Sequence, residues 1–124
     1  MSHKVLVIDD EVSLLSALEK HLTTVGFTVI TASDARVGLE LFAKESPNLI
    51  ILDLLMPEMS GIDFLREFKG NQKNPTPVIV LSNLSEYNEI KTALDLGAVV
   101  FLVKSDNSLQ EIESKIRELL VAVF

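Results

Sequence analysis

Three carboxylates and one ammonium group in this sequence could carry out chemistry together. Asp9 with Asp10, Asp53 and Lys104 each directly follow a short apolar run, at residues 5–8, 49–52 and 99–103. Because the carboxyl ends of strands in an open parallel sheet lie along one edge, such runs would bring the four charges into one pocket. Carboxylates that face an ammonium group indicate a site for a phosphate and a metal ion.

Asp9 and Asp10 also fit a simpler role at the start of a helix. Acidic residues there accept hydrogen bonds from free backbone N–H groups and stabilise the helix dipole. For an isolated strand-to-helix junction, this is the better interpretation. A third carboxylate, Asp53, at the end of another buried strand changes the balance, because like charges packed together need a cation. Mg²⁺ prefers such oxygen ligands, so the set predicts a magnesium site.

Ser82 and Lys104 are ambiguous when each is considered alone. Ser82 fits a strand-end hydroxyl that bonds nearby backbone, and Lys104 fits a surface lysine whose stem covers apolar side chains. Together they place a hydroxyl and a positive charge on the two strands beyond Asp53, as the oxygens of a phosphoryl group require. Phe101 alternates to the strand face opposite Lys104 and is most simply a core residue.

Five apolar runs alternate with five segments of helical periodicity, which indicates βαβ units around a doubly wound parallel sheet. The predicted strands are residues 4–8, 28–31, 48–52, 78–82 and 99–103, and the predicted helices are 11–25, 35–44, 61–70, 86–96 and 108–123, with a loop over 71–77. Strand 28–31 is more polar than the others and is predicted to be an edge. Val37 and Leu94 are expected on buried helix faces. One α/β domain over residues 1–124 accounts for the chain.

Composition excludes several classes of protein. Hydrophobic residues make up 48% of the 124 residues, which favours a packed globule over disorder. Lys and Arg number 11 against 18 Asp and Glu, and the net charge of −7 disfavours direct nucleic-acid binding. No apolar run approaches the roughly 20 residues of a membrane helix. With no cysteine and no signal-peptide pattern at its start, the chain is expected to be cytoplasmic, without membrane contact.

In order and spacing, these residues resemble the receiver domain of two-component response regulators over essentially the whole chain. The resemblance rests on residues that follow the strands or flank them: Asp9, Asp10, Asp53, Met56, Pro57, Gly61, Ser82, Gly97, Ala98, Phe101 and Lys104. It implies a flavodoxin-like (βα)5 fold with strand order 2-1-3-4-5. It also implies a phosphorylation-dependent signalling switch rather than an enzyme with a separate substrate.

The resemblance implies roles for the acidic residues. Asp53 is the expected phosphoacceptor, which attacks a phosphohistidine on a sensor histidine kinase or a phosphotransfer protein. Mg²⁺ is expected on Asp10, Asp53 and the backbone carbonyl of Leu55, while Asp9 holds it through water.

Lys104 and Ser82 are expected to hold the phosphoryl oxygens, since positioning and charge neutralisation dominate phosphoryl transfer. The resemblance further implies that Ser82 moves toward the phosphate and that Phe101 rotates inward. This change would alter the face made by the fourth helix, the fifth strand and the fifth helix, and with it an unknown downstream effector or a phosphorylation-dependent dimer.

Three residues depart from the usual pattern of the family. A proline commonly follows the lysine, often with a cis bond, whereas Ser105 follows Lys104 here. Because a cis bond before another residue costs about 2.5–4 kcal/mol, we expect a trans bond or a rearranged loop. Asn83 stands where a small residue is common, and Phe101 replaces a more frequent tyrosine.

The lifetime of the phosphorylated state is also implied by the resemblance. In receivers, the residues two positions past the acceptor and two past the hydroxyl flank the path of the hydrolytic water. Here they are Leu55 and Leu84, which cannot orient water through hydrogen bonds. We therefore expect slow self-dephosphorylation.

Three other functions are alternatives to the receiver. A phosphatase of the haloacid-dehalogenase type also uses a nucleophilic aspartate, but that nucleophile ends the first strand and has a second aspartate two residues on, whereas Asp53 precedes Leu54 and Leu55. A flavin-binding protein would need a phosphate-cradling loop after the first strand, where residues 9–11 are acidic. An interaction module that is never phosphorylated would not require the full acidic set.

Overall fold

The structure of the protein, a computed structural model, describes residues 2–71, 76–83 and 87–122. It contains the strands β1 (Lys4–Ile8), β2 (Thr28–Ala32), β3 (Leu49–Leu52), β4 (Val78–Ser82) and β5 (Val100–Val103), and the helices α1 (Val12–Thr24), α2 (Ala35–Glu45), α3 (Gly61–Asn71), α4 (Tyr87–Asp95) and α5 (Leu109–Ala122). All ten predicted elements are present, and no end differs from its predicted position by more than one residue. The loop predicted over 71–77 lies mostly outside the described residues.

The strands form one parallel sheet in the order β2-β1-β3-β4-β5, which confirms the predicted topology. β3 and β4 are buried along their whole length, as expected for strands covered on both faces. β2 lies at one edge and carries the exposed Thr28, in agreement with its polar sequence.

The helices cover both faces of the sheet. The buried stripes of α1 and α5 pack with β1 and β3 side chains on one face: Leu15, Leu18, Leu22, Ile112, Ile116 and Leu120. On the other face, α2, α3 and α4 contribute a second cluster: Ala35, Ile62, Phe64, Leu65, Phe68 and Ala93. No helix among the described residues is long and apolar enough to cross a membrane.

Two side chains that were expected to be buried are not. Val37 is 39% exposed and Leu94 is 43% exposed. In α2 the buried positions are Ala35 and Gly38, with Leu39 and Phe42 packed beside them, so the stripe passes to one side of Val37. Helical period alone does not fix which flanking position faces the sheet.

Strand register sets which polar residues meet at the carboxyl edge. Ile8 pairs with Leu52, and the N–H of Asp53 donates to the Ile8 carbonyl at 3.0 Å. Asp9 and Asp53 therefore leave adjacent strands at the same level. Ser82 pairs with Val103, so that Lys104 begins where β4 ends.

Candidate functional site

At the end of β1, Asp9 is 2% exposed whereas Asp10 is exposed. Asp9 Oδ1 accepts a hydrogen bond from the Glu11 N–H at 2.9 Å. Glu11 is itself the residue that precedes α1, and its side chain makes no capping hydrogen bond. The Asp9 contact closes the turn before the helix instead of capping the first N–H groups inside α1. The capping interpretation of Asp9 therefore loses its main support.

At the end of β3, Asp53 is 4% exposed, and its Oδ1 accepts a hydrogen bond from the Leu55 N–H at 3.2 Å. The following loop returns to place Gly61 against the backbone of Asp53 and Leu54. The Gly61 N–H donates to the Leu54 carbonyl at 3.0 Å, and a Cβ at Gly61 would lie 2.7 Å from the Leu54 Cα. Only glycine fits this close approach, which sets the backbone from which the Asp53 side chain extends.

At the end of β5, the side chain of Lys104 is 12% exposed and contacts three carboxylates. Its Nζ lies 2.8 Å from Asp9 Oδ2, 3.1 Å from Asp53 Oδ2 and 3.2 Å from Glu11 Oε1. Lys104 starts a 3₁₀ turn over Lys104–Asp106, and no peptide bond among the described residues is cis. The predicted trans bond between Lys104 and Ser105 is thus confirmed.

Burial and the close charges shift two pKa values. Burial is the main cause that raises the pKa of Asp9 above its usual value; the hydrogen bonds from Lys104 and from the Glu11 N–H oppose this shift, and the charge of Asp53 adds to it. Burial lowers the pKa of Lys104, but its hydrogen bonds to Asp9 and Asp53 and their charges outweigh burial and raise that pKa well above its usual range. Lys104 is therefore an ammonium ion at every physiological pH.

The three aspartates could hold a metal ion. One carboxylate oxygen from each of Asp9, Asp10 and Asp53 lies within 4.8 Å of the other two. Mg²⁺ takes oxygen ligands, keeps several waters and is commonly bound by one or two carboxylates plus phosphate oxygens, so the donor set fits it.

Ser82 and Phe101 lie where strand pairing was expected to place them. Ser82 is fully buried at the end of β4. Phe101 pairs with Val80 and packs, partly buried, against the core cluster on the α2, α3 and α4 face, while Leu102 packs on the opposite face. The strand alternation is confirmed, whereas the switching roles of Ser82 and Phe101 and the Leu55 carbonyl ligand stay predictions. Leu84 lies outside the described residues.

Sequence reasoning missed two contacts of this site. Glu11 completes the set of carboxylates around Lys104, and its position after two aspartates was a signal that could have suggested this. Asn83 accepts a hydrogen bond from the Ser105 N–H at 3.1 Å. No sequence pattern joins positions 83 and 105, because that contact depends on how two loops leave neighbouring strands.

Comparison with known proteins decides the family of this chain. The family model described as the response regulator receiver domain matches residues 5–117. The chain belongs to the response regulator receiver family. The receiver fold also fits the acidic pocket, because its parallel strands bring Asp9, Asp53 and Lys104 to one edge of the sheet.

Relatives and solved structures agree with this membership. The receiver is 40% identical over 117 residues to the probable transcriptional regulator ycf27 of Porphyridium aerugineum, covering 94% of this chain and 48% of the relative. It is 45% identical over 100 residues to the transcriptional regulatory protein KdpE of Mycobacterium tuberculosis, covering 81% of this chain and 43% of the relative. The chain therefore spans about half the length of these curated relatives.

Among solved structures, the chemotaxis protein CheY4 of Vibrio cholerae superimposes with a TM-score of 0.87 at 27% identity, covering 95% of this chain and 98% of that one. A CheY-like receiver domain from Methanospirillum hungatei JF-1 gives a TM-score of 0.92 at 23% identity, covering 98% and 96% of the two chains. The latter likeness supports the fold alone.

Proposed function

We propose that this receiver is a phosphorylation-controlled switch in which Asp53 accepts a phosphoryl group from a phosphohistidine. The donor would be a sensor histidine kinase or a phosphotransfer protein. The observation that carries the proposal is the placement of Asp53: a carboxylate 4% exposed, 3.1 Å from the Lys104 ammonium and grouped with Asp9 and Asp10. This receiver-family pocket combines a nucleophile with neighbouring charges that suit phosphoryl transfer.

In the proposed step, a carboxylate oxygen of Asp53 attacks phosphorus while the bond between phosphorus and the imidazole nitrogen breaks. The histidine leaves as neutral imidazole after it takes up a proton, and an acyl phosphate remains on Asp53. Lys104 would then pair with a phosphoryl oxygen, since its ammonium already lies within hydrogen-bond distance of Asp53. The Ser82 hydroxyl would donate to another phosphoryl oxygen.

Asp10, Asp53 and the Leu55 carbonyl would hold Mg²⁺ directly, and Asp9 would hold it through water. When bound, Mg²⁺ would supply positive charge that offsets the carboxylates and the incoming phosphoryl oxygens. Asp53 is both the nucleophile and the group that is modified. The domain would therefore catalyse only its own phosphorylation and dephosphorylation. We propose that it has no separate substrate.

The output would pass to another protein or domain. The relatives ycf27 and KdpE carry names of transcriptional regulators and are about twice as long as the matched region. A net charge of −7 disfavours DNA contact by these 124 residues themselves, so any effect on DNA would go through a partner. We propose a cytoplasmic effector, or a dimer that forms on phosphorylation.

Intact-mass measurement tests the acceptor. With Mg²⁺ and acetyl phosphate, the wild-type chain should gain one phosphoryl group and Asp53→Asn should gain none. Asp95→Asn is the control, because Asp95 forms an exposed ion pair with Lys91 on α4, away from the pocket. Phosphoryl uptake by Asp53→Asn equal to that of wild type would refute the assignment, and no uptake by wild type would favour the unphosphorylated interaction module.

We further propose that Ser82 and Phe101 carry the signal to the face formed by α4, β5 and α5. They lie on adjacent paired strands, with Ser82 at the pocket and Phe101 against the core cluster beneath α4. Ser82→Ala should remain phosphorylatable yet show a reduced change in dimerisation or partner binding. A response equal to that of wild type would contradict this part of the proposal.

A further inference from the structure

Two asparagine side chains hold the peptide groups on either side of Lys104. Asn83 Oδ1 accepts from the Ser105 N–H at 3.1 Å, and Asn107 Nδ2 donates to the Val103 carbonyl at 2.8 Å. The Val103 carbonyl belongs to the peptide group before Lys104, and the Ser105 N–H belongs to the one after it. The two bonds therefore fix both peptide planes that determine the backbone torsions of Lys104.

The local sequence explains why these bonds come from outside the turn. The first N–H groups of a helical turn have no partner within it. Val103 precedes the turn Lys104–Asp106 and has no polar side chain to cap it. Asn83, the first residue after β4, supplies the acceptor from the neighbouring strand, because Ser82 and Val103 are paired.

Lysine depends on such support more than a shorter side chain would. Its four-carbon stem has many rotamers, whereas Lys104 must reach Asp9 Oδ2 and Asp53 Oδ2 at the same time. A fixed backbone limits the directions in which the stem can leave β5. The two residues that depart from the family pattern on these loops, Asn83 and Ser105, are hydrogen-bond partners of each other.

We propose that Asn83, together with Asn107, is a positioning residue that directs the Lys104 ammonium into the pocket of Asp9 and Asp53. Asn83 acts through Lys104 and not by contact with the reacting atoms. For phosphoryl transfer, the inference rests on the function proposed above. It also has a consequence that does not depend on phosphorylation, since Lys104 and Mg²⁺ compete for the same carboxylates.

The first test measures the rate of Asp53 phosphorylation by acetyl phosphate at saturating Mg²⁺, for Asn83→Ala and Asn107→Ala in the wild-type and Lys104→Met backgrounds. Loss of one hydrogen bond should slow the reaction by about three- to tenfold in the wild-type background. Neither variant should slow it further in Lys104→Met. Asn107→Ala tests the positioning role without a change at Asn83 itself, and Asn88→Ala on α4 is the control.

The second test measures Mg²⁺ affinity of the same variants by calorimetric titration, with thermal melting to verify that each is folded. Asn83→Ala and Asn107→Ala should bind Mg²⁺ about two- to threefold more tightly than wild type, because a less constrained Lys104 competes less well. The gain should vanish in Lys104→Met.

The outcomes separate the two proposals. If wild type takes no phosphoryl group on Asp53, the proposed function fails, and the Mg²⁺ titration still decides the positioning role. Unchanged Mg²⁺ affinity in both asparagine variants, or an equal change in the Lys104→Met background, would overturn that role. So would phosphorylation of Asn83→Ala and Asn107→Ala as fast as that of wild type.

Discussion

Lys104 Nζ lies 3.1 Å from Asp53 Oδ2, so the carboxylate that we propose as phosphoacceptor is already paired with a cation of the protein itself. The same ammonium lies 2.8 Å from Asp9. Because both carboxylates are almost fully buried, they depend on Lys104 to offset their charge. Mg²⁺ would take over part of that role, and Lys104 would become free to pair with the phosphoryl group.

Lys104→Met should therefore have opposite effects on stability and on metal response. We expect it to lower the free energy of unfolding without metal by about 1–3 kcal/mol, since it leaves the buried carboxylates without their cation. Mg²⁺ should then raise the Tm of the variant more than that of wild type. Phosphorylation at saturating Mg²⁺ should slow on the order of 10²-fold. Thermal melting with and without Mg²⁺, with intact-mass kinetics, measures all three.

Lys91→Met is the matched control, because Lys91 pairs with Asp95 at 2.9 Å on an exposed helix surface. Exposed pairs contribute about 0–1 kcal/mol, so this variant should resemble wild type in every measurement. An equal Mg²⁺-dependent Tm rise in Lys104→Met and wild type would show that the ammonium and the metal do not share ligands.

Asp9→Asn should stabilise the metal-free protein at neutral pH. The pKa of Asp9 in the folded state is raised above its ordinary value of 3.8, mainly by burial, so the ionised form costs stability at neutral pH. That cost disappears as the pH falls through the raised pKa toward 3.8. The Tm advantage of Asp9→Asn should accordingly shrink as the pH is lowered, and its Mg²⁺-dependent Tm rise should be smaller than that of wild type.

Glu113→Gln should change the Tm in the opposite direction to Asp9→Asn when both variants are measured in the same pH series. Hydrogen bonds from Arg117 at 3.0 Å and His21 at 2.8 Å hold the pKa of Glu113 below its ordinary value. The ionised form thus stabilises the fold above that ordinary value, and the stabilisation is lost as the pH falls through the lowered pKa. Glu113→Gln should melt below wild type at neutral pH, with a gap that narrows in acid. If both variants melted above wild type at neutral pH, or both below it, one of the two assigned directions of pKa shift would be wrong.

The strands and their order were predictable because burial on both faces leaves a clear record in the sequence. β1, β3 and β4 are runs of apolar residues, and the polar Thr28 identified the edge strand β2. Val37 and Leu94 were assigned wrongly to the core, because helical periodicity does not determine which of several apolar positions in a helix faces the sheet. The orientation of each helix on the strands determines which of its apolar side chains are buried.

The site was predictable only as far as strand ends determine it. Asp9, Asp53 and Lys104 meet because each follows a strand of one parallel sheet, and the edge they share follows from topology. The contacts of His21 with Glu113 and of Asn83 with Ser105 depend instead on the rotamers and loop paths of residues far apart in sequence. Local sequence patterns therefore do not predict these pairs of contacting residues.

Gly61→Ala tests how the loop after β3 supports Asp53. A Cβ there would lie against the Asp53 carbonyl oxygen and 2.7 Å from the Leu54 Cα, and neither backbone atom can move aside freely. We expect a loss of about 1–3 kcal/mol in the free energy of unfolding, together with weaker Mg²⁺ binding and slower phosphorylation. Denaturant titration and calorimetric Mg²⁺ titration measure the two effects.

Gly26→Ala is the control that separates a loss of overall stability from a change in Mg²⁺ binding and phosphorylation at the site. Gly26 has φ of 109° between α1 and β2, so alanine is strained there, but among the described residues no atom beyond its chain neighbours lies within 4 Å of the added Cβ. This variant should lose stability and keep wild-type Mg²⁺ affinity and phosphorylation rate. If Gly61→Ala behaved in the same way, the close approach of Gly61 would support the fold alone and not the placement of Asp53.

The lifetime of the phosphorylated receiver should be limited by how water reaches Asp53. The Leu55 N–H donates to the Asp53 carboxylate, while Leu55 is 55% exposed and its side chain can neither donate nor accept a hydrogen bond. Leu55→Asn should accelerate dephosphorylation about fivefold, because a carboxamide can orient the attacking water through one additional hydrogen bond. Leu55→Met keeps an apolar side chain of similar size and should match wild type. Phosphate release in excess Mg²⁺, followed after removal of the phosphodonor, gives the rates, and a Leu55→Asn rate no faster than that of Leu55→Met would show that this side chain does not control the water.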